Sequence, residues 1–198
     1  LQFPNGRLRV NLTTRYVMTE NDFANRGAIG SATFFDPTKP VFDSNSPYGG
    51  FYTWLDNDGT KLALSPVNPI ALLHLTDDES RVNRLITNVK VDYDLPVEGL
   101  TATINAGMDN STGKGFNTTD ASLPNDAVGF NGSNNLYDNK TTNLLFDAYL
   151  TYTKDLSNSN LSVTAGHSYQ SFEYDNSSTN SVRYLNSDGT LNTDTSIT

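Results

Sequence analysis

The side chains able to do chemistry are few and scattered. The 198 residues hold no cysteine and two histidines, His74 and His167. Without thiols there is no disulfide framework and no thiolate metal site. The histidines stand too far apart in sequence for a local zinc motif. Asp77-Asp78-Glu79 could offer carboxylates for acid–base work, but adjacent acids read better as a solvated acidic turn. Asp56-Asn57-Asp58-Gly59 hints at a calcium loop. Thr60 and the missing distal Glu break the pattern of alternating oxygen ligands, which leaves a turn. Asn-x-Ser/Thr triplets occur at Asn11, Asn110, Asn117, Asn131, Asn139 and Asn176. As glycan acceptors they would mark a eukaryotic secreted protein; segments rich in Asn, Ser and Thr also produce them by chance, and that is the stronger reading. No nucleophile elbow, phosphate loop, metal-spaced set or cofactor fingerprint is present, so the chain does not read as an enzyme. What remains is binding. Tyr48, Phe51, Tyr52 and Trp54 crowd large rings into one short stretch, which either packs on itself or offers a surface to a ligand or partner.

The elements that would position such a surface are strands. From Asn83 to Asp109 two runs of strict alternation flank a short turn at Pro96–Gly99. Leu85, Thr87, Val89, Val91, Tyr93 and Leu95 share one face, with Arg84, Ile86, Asn88, Lys90, Asp92 and Asp94 opposite. Leu100, Ala102, Ile104, Ala106 and Met108 then share a face, with Thr101, Thr103, Asn105, Gly107 and Asp109 opposite. Period two makes each run a strand with one apolar side. Full charges on the other side fit a transmembrane barrel strand, apolar to lipid and polar to a wet lumen, although soluble antiparallel sheets alternate too. Similar runs occupy 7–18, 143–154 and 161–172. The chain thus predicts an all-β section of a large antiparallel transmembrane barrel, with about five strands.

Between the runs lie 20–80, 110–142 and 174–198, rich in Asn, Asp, Ser, Thr and Gly, which read as loops. Segment 20–80 is long for a structureless connection, and such loops are usually functional. Its one helical candidate is Asn68–Leu75, with Asn68 as N-cap and Pro69 at the first helical position. Long loops alternate with short turns along the chain, as they do at the two ends of outer-membrane barrels. Tyr93 and Tyr152 fall near the short-turn end, and Tyr16 and Tyr169 near the other, where aromatic girdles are expected. His167 reads as an interfacial side chain near a strand end.

Composition agrees. Hydrophobic residues make up 36%, and no apolar run approaches a membrane-spanning helix. The net charge of -9 argues against nucleic acid as a partner. The first residues lack a signal peptide, and the last are polar without a closing strand, so a piece of a longer protein is expected. About five strands cannot close a barrel; further strands must come from elsewhere.

A set of short motifs carries a family resemblance. Ala24-Asn-Arg-Gly-Ala-Ile-Gly30, Phe35-Asp-Pro-Thr-Lys-Pro-Val-Phe-Asp43, Tyr48-Gly-Gly-Phe-Tyr-Thr-Trp54 and Asn68-Pro-Ile-Ala-Leu-Leu73 come first. Asn88-Val-Lys-Val-Asp-Tyr93, Gly107-Met-Asp109, Asp147-Ala-Tyr-Leu-Thr-Tyr152 and Ala165-Gly-His-Ser-Tyr-Gln170 follow. In this order, over roughly 7 to 175, the chain resembles the barrel part of SusC-like TonB-dependent transporters of Bacteroidota outer membranes.

The resemblance implies a plugged barrel of about 22 strands that imports glycans or peptides too large for porins. It implies a SusD-like surface lipoprotein as a lid and energy from TonB–ExbB–ExbD through a TonB box ahead of the plug. Plug, TonB box and carboxy-terminal strand are not expected in these residues. The short turns would be periplasmic, and 20–80, 110–142 and 174–198 extracellular. Tyr48, Phe51, Tyr52 and Trp54 would then be candidates to meet substrate or lid. Two rivals stand beside this reading. One is a SusC-like barrel segment serving as subunit or client of an outer-membrane assembly or secretion complex. The other is a soluble β-sandwich carbohydrate-binding module, whose apolar faces would meet in a dry core.

Overall fold

The computed structural model describes residues 6–124, 130–185 and 190–197. Strands dominate: β1 (Leu8–Asp22), β2 (Thr76–Asp94), β3 (Leu100–Thr119), β4 (Phe130–Leu156), β5 (Ser159–Leu185) and β6 (Leu191–Ile197). Two short helices, α1 (Gly27–Phe34) and α2 (Pro69–His74), lie between β1 and β2. The strands form one antiparallel sheet in sequence order, each beside its chain neighbour.

Three expectations need correction. The sheet has six strands rather than about five, because 174–198 is not a loop. It completes β5 and supplies β6, which pairs antiparallel with β5 from Leu185↔Leu191 to Thr179↔Ile197. Segment 110–142 is likewise mostly strand, since β3 runs on to Thr119 and β4 begins at Phe130. Ladder hydrogen bonds need only backbone, so a strand continues where alternation of apolar residues has stopped. Segment 20–80 holds both helices and the start of β2, so it is not structureless. Helix α1 gave no sequence signal: it has two glycines and no side-chain cap.

The chain divides into two compact units. The first comprises Leu1–Thr19, Val82–Gly113 and Asn139–Asn176. Its sheet has an uncovered apolar face. Leu12, Tyr16, Ile104, Leu144, Phe146, Leu150, Leu161, Val163 and Tyr169 are all exposed. Among the described residues, every buried hydrophobic side chain lies in the other unit. A sandwich would lay a second sheet over this face, and the described residues make one sheet. Short turns close one end. Between β2 and β3, the Leu95 N–H bonds the Leu100 carbonyl at 2.9 Å, and Gly99 sits at φ +79. A side chain at Gly99 would run into the backbone carbonyl of Thr153, whose N–H bonds Gly99 at 2.8 Å.

The second unit comprises Glu20–Arg81, Lys114–Asp138 and Ser177–Thr198. Its core is Phe51, Ala71 and Leu123, with Val67, Ile70, Leu72 and Leu75 packed around them. Asn68 is only 1% exposed. Its side chain accepts the Ile70 N–H at 3.0 Å and donates to the Val41 carbonyl at 2.8 Å and the Tyr52 carbonyl at 3.4 Å. With Pro69 next, this is the N-cap geometry that starts α2. The Ser31 hydroxyl donates to the Val67 carbonyl, tying α1 to the same core.

Candidate functional site

The aromatic stretch divides by parity. Phe51 and Thr53 are buried, while Tyr52 and Trp54 are half-exposed. Phe51 is 6% exposed, meets Phe42 at 5.4 Å and stacks on His74 at 6.0 Å. It is a core residue. Tyr48 is half-buried, and its hydroxyl accepts the Lys61 N–H at 2.9 Å. Tyr52 and Trp54 meet edge to face at 5.3 Å, and Phe35 closes a triad at 6.5 Å from Tyr52 and 4.9 Å from Trp54. Edge-to-face packing at these separations stabilises each ring and leaves faces open for contact. The Lys39 ammonium lies 6.0 Å from the Tyr52 ring. Phe35 was missing from the sequence-derived set. Its signal was the Phe34-Phe35 pair before Asp36-Pro37, but nothing in the sequence said which ring turns inward; Phe34 is 81% exposed.

The acidic motifs resolve without a ligand. Asp77-Asp78-Glu79 is not a turn but the start of β2. Strand parity sends Asp78 to the face opposite Asp77 and Glu79, and Asp78 accepts the Asn117 amide at 3.0 Å. In Asp56–Gly59 the Asp58 carboxylate takes the Thr60 hydroxyl at 2.6 Å and its N–H at 3.0 Å. Those bonds hold the Asp58 pKa below the ordinary 3.8, the hydroxyl contributing most. Asp36 is lowered likewise, by the Thr38 N–H first and its hydroxyl second. Among the described residues no three His, Asp or Glu side chains gather to hold a metal.

A lowered folded pKa means these carboxylates stabilise their turns above the ordinary carboxylate range. That stabilisation is lost as pH falls through the folded value. Amide exchange should therefore quicken first at Asp36–Lys39 and Asp56–Thr60 when the protein is taken from neutral pH to about pH 3, before the sheet responds. Unchanged protection at those turns, after correction for intrinsic exchange, would contradict the assignment.

The polar face of the first unit is a hydrogen-bonded wall. Arg84 grips Asp109 through two bonds of 2.8 and 2.6 Å. Asn88 donates to Asn105 at 2.9 Å, Asn105 to Asp147 at 3.1 Å, and Ser168 to Asp147 at 2.6 Å. Nearer the short turns, Thr103 bonds Asp92 at 2.7 Å, and Arg9 and Thr101 both bond Asp94 at 2.9 Å. Thr151 and Thr164 are 3.0 Å apart. Cross-strand pairs of this kind join β1 through β5 on one face, opposite the apolar one. On the apolar side, the Tyr16 hydroxyl donates to Asn83 at 2.9 Å. His167 is exposed on β5, on that same side.

No family model matches the sequence. The chain is similar to the TonB-dependent receptor SusC of Bacteroides thetaiotaomicron, 30% identical over 189 residues. The similarity covers 86% of this chain and 18% of the relative. The chain is thus a distant, partial relative of a TonB-dependent receptor and spans under a fifth of that protein's length, with the all-β sheet such a barrel wall requires.

Proposed function

We propose that the chain forms part of the wall of a SusC-like outer-membrane transporter that imports glycans or peptides. The carrying observation is the pair of opposed faces: one apolar and uncovered, the other charged and hydrogen-bonded from strand to strand. Lipid would cover the first, and water and passing solute would meet the second. The strands are 15 residues or longer from β1 to β5, more than the roughly 10 needed to cross. The short turns at Leu95–Gly99 and between β4 and β5 then face the periplasm, and the body built on α1 and α2 lies outside the cell. Further strands complete the barrel. TonB–ExbB–ExbD would drive uptake through a plug in the remainder of the protein, and a SusD-like lipoprotein would close over the outer body. No covalent step is involved.

Within that body the Phe35–Tyr52–Trp54 triad is the surface that supports substrate or lid contact best, and Tyr48 instead bonds Lys61. Phe51 serves from beneath, as the core that holds the triad up. The test is Tyr52→Ala with Trp54→Ala in the full-length transporter, Phe51 retained. Uptake should fall about tenfold or more, corresponding to loss of stacking worth at least about 1.4 kcal/mol. Surface protease resistance should match wild type. If uptake and lipoprotein co-purification both stay at wild-type levels, the triad is not the contact surface. The same co-purification separates import from an assembly role: a lid lipoprotein marks the first, an assembly factor the second.

A further inference from the structure

The pairing of β3 with β4 has no short turn to set it. Residues 95–99 join β2 to β3, and residues 157–158 join β4 to β5. Turns that short fix register. Residues 120–129 join β3 to β4, too long a connection to do so. The two unlike faces forbid a slip of one residue but permit a slip of two. Asn, Ser and Thr fill much of both strands and can re-pair after such a slip. One register nevertheless holds: Asn105 pairs with Asp147 at 3.1 Å, Asn110 with Thr142 at 2.9 Å and Lys114 with Asp138 at 2.7 Å. The last pair is exposed and adds little. From Tyr137 to Thr153, three side chains on the face of β4 that carries Asp147 are bulky: Tyr137, Leu145 and Tyr149. Each stands opposite a glycine. Tyr137 lies over Gly115 of β3, where a side chain would overlap the phenol and come within 2.5 Å of the Glu79 carbonyl. Leu145 faces Gly107 of β3, whose added β-carbon would touch it at 3.6 Å. Tyr149 meets Gly166 of β5, in the register that Thr151–Thr164 and Ser168–Asp147 define.

We propose that Tyr137 and Leu145 are two pegs, and Gly115 and Gly107 two sockets, of a key that selects the β3–β4 register. The pegs stand eight residues apart on β4 and the sockets eight apart on β3, so both fit at once in one register. A slip of two toward Gly113 sets Tyr137 on another glycine but drives Leu145 against Asn105. The opposite slip drives Tyr137 against Asn117 and Leu145 against Asp109. Each wrong register therefore crowds a bulky side chain against an amide or a carboxylate and covers polar groups without a partner. Neither Gly107 nor Gly115 takes a positive φ, so the backbone does not demand glycine there; room for the opposing side chain does. Glycine alone weakens a strand, and a large side chain laid across it restores the missing contact. The β2–β3 and β4–β5 hairpins can thus form on their own short turns and then join in a single alignment.

The experiment is disulfide trapping in the full-length protein on a cysteine-free background. Directly opposed strand residues have Cα atoms about 4.5–5.5 Å apart, within reach of a disulfide, and residues two positions off lie beyond it. Asn110→Cys with Thr142→Cys reports the observed register. Asn110→Cys with Lys140→Cys, and Thr112→Cys with Thr142→Cys, report the two slips. Heat-modifiable migration verifies that each variant is a folded barrel. Trimming the pegs, in Leu145→Ala with Tyr137→Ala, should lower the first link at least about tenfold relative to the slipped ones. Filling the sockets, in Gly107→Val with Gly115→Val, should do the same, although valine is a good strand former. Gly113→Val is the control. It has no bulky side chain opposite, its β-carbon would meet only Val82 at 3.5 Å and the Asn139 carbonyl at 4.0 Å, and it should leave the first link unchanged. The key is overturned if either double variant keeps the wild-type ratio of links, or if Gly113→Val disturbs that ratio as much as the filled sockets do. A peg-trimmed variant that forms no barrel also overturns it, since the pegs then supply stability rather than register. If the socket-filled variant forms no barrel, trimming the pegs in it must restore one; failure to do so counts equally against the key.

Discussion

Ile104→Arg should cost the assembled barrel about 2–4 kcal/mol, the penalty for a cation at the middle of a lipid-facing strand. Ile104 is the central residue of the apolar run Leu100–Met108 and is 48% exposed in this chain. Its surroundings within the chain are too sparse to explain such a loss by packing; only the solvent on that side can. Thr151→Arg supplies the contrast. Thr151 lies on the opposite face, where its hydroxyl partner Thr164 is exposed to water. Losing that bond should cost no more than about 1 kcal/mol. Equilibrium unfolding of the full-length protein in lipid bilayers measures both. Equal penalties at the two positions would mean that the apolar face does not meet lipid.

Asn68→Ala should loosen the second unit by about 2 kcal/mol or more. The side chain satisfies three backbone groups at once: the Ile70 N–H and the Val41 and Tyr52 carbonyls. Loss of an N-cap alone costs about 1 kcal/mol. The Val41 carbonyl keeps the Tyr52 N–H at 3.1 Å, so the Tyr52 carbonyl is the further group that loses its bond, which adds about 1–3 kcal/mol. Asn68→Asp separates these contributions. It retains an acceptor for Ile70 but offers no donor to either carbonyl, so most of the loss should persist. Hydrogen exchange by mass spectrometry would follow the two variants, with faster exchange around Val41, Tyr52 and α2 and unchanged protection at Leu85–Leu95. Wild-type exchange at Tyr52 in both variants would show that the body is held by Phe51, Ala71 and Leu123 alone.

The same contrast explains what could be read from residues alone. Where one face meets a different solvent from the other, every second side chain reports it, so the runs around Val89, Ile104, Phe146 and Val163 were legible. Beyond Asp109 on β3 and Phe172 on β5, apolar and polar residues no longer take turns, so there is no period to read. The strand extensions and β6 were therefore invisible to periodicity. Helix α2 announced itself through Asn68-Pro69, a local signal with a local cause. Helix α1 had none, because tertiary contacts place it: Ala28 is buried, and Ser31 bonds Val67. The aromatic density in Tyr48–Trp54 was plain, but its division into a buried Phe51 and an outward Tyr52–Trp54 pair depends on partners far along the chain, among them His74 and Phe35.

The division of the sheet into two unlike faces also limits how such a sequence can change length. A single codon inserted between Leu100 and Met108 would exchange the faces of every residue beyond it, turning Met108 to the charged face and Asp109 to the apolar one. Two codons would restore the pattern at the cost of a local bulge. No such parity governs the connection from Phe23 to Leu75, where residues are fixed one contact at a time. Related sequences should therefore drift freely in length outside the apolar runs, and in even steps, or not at all, within them.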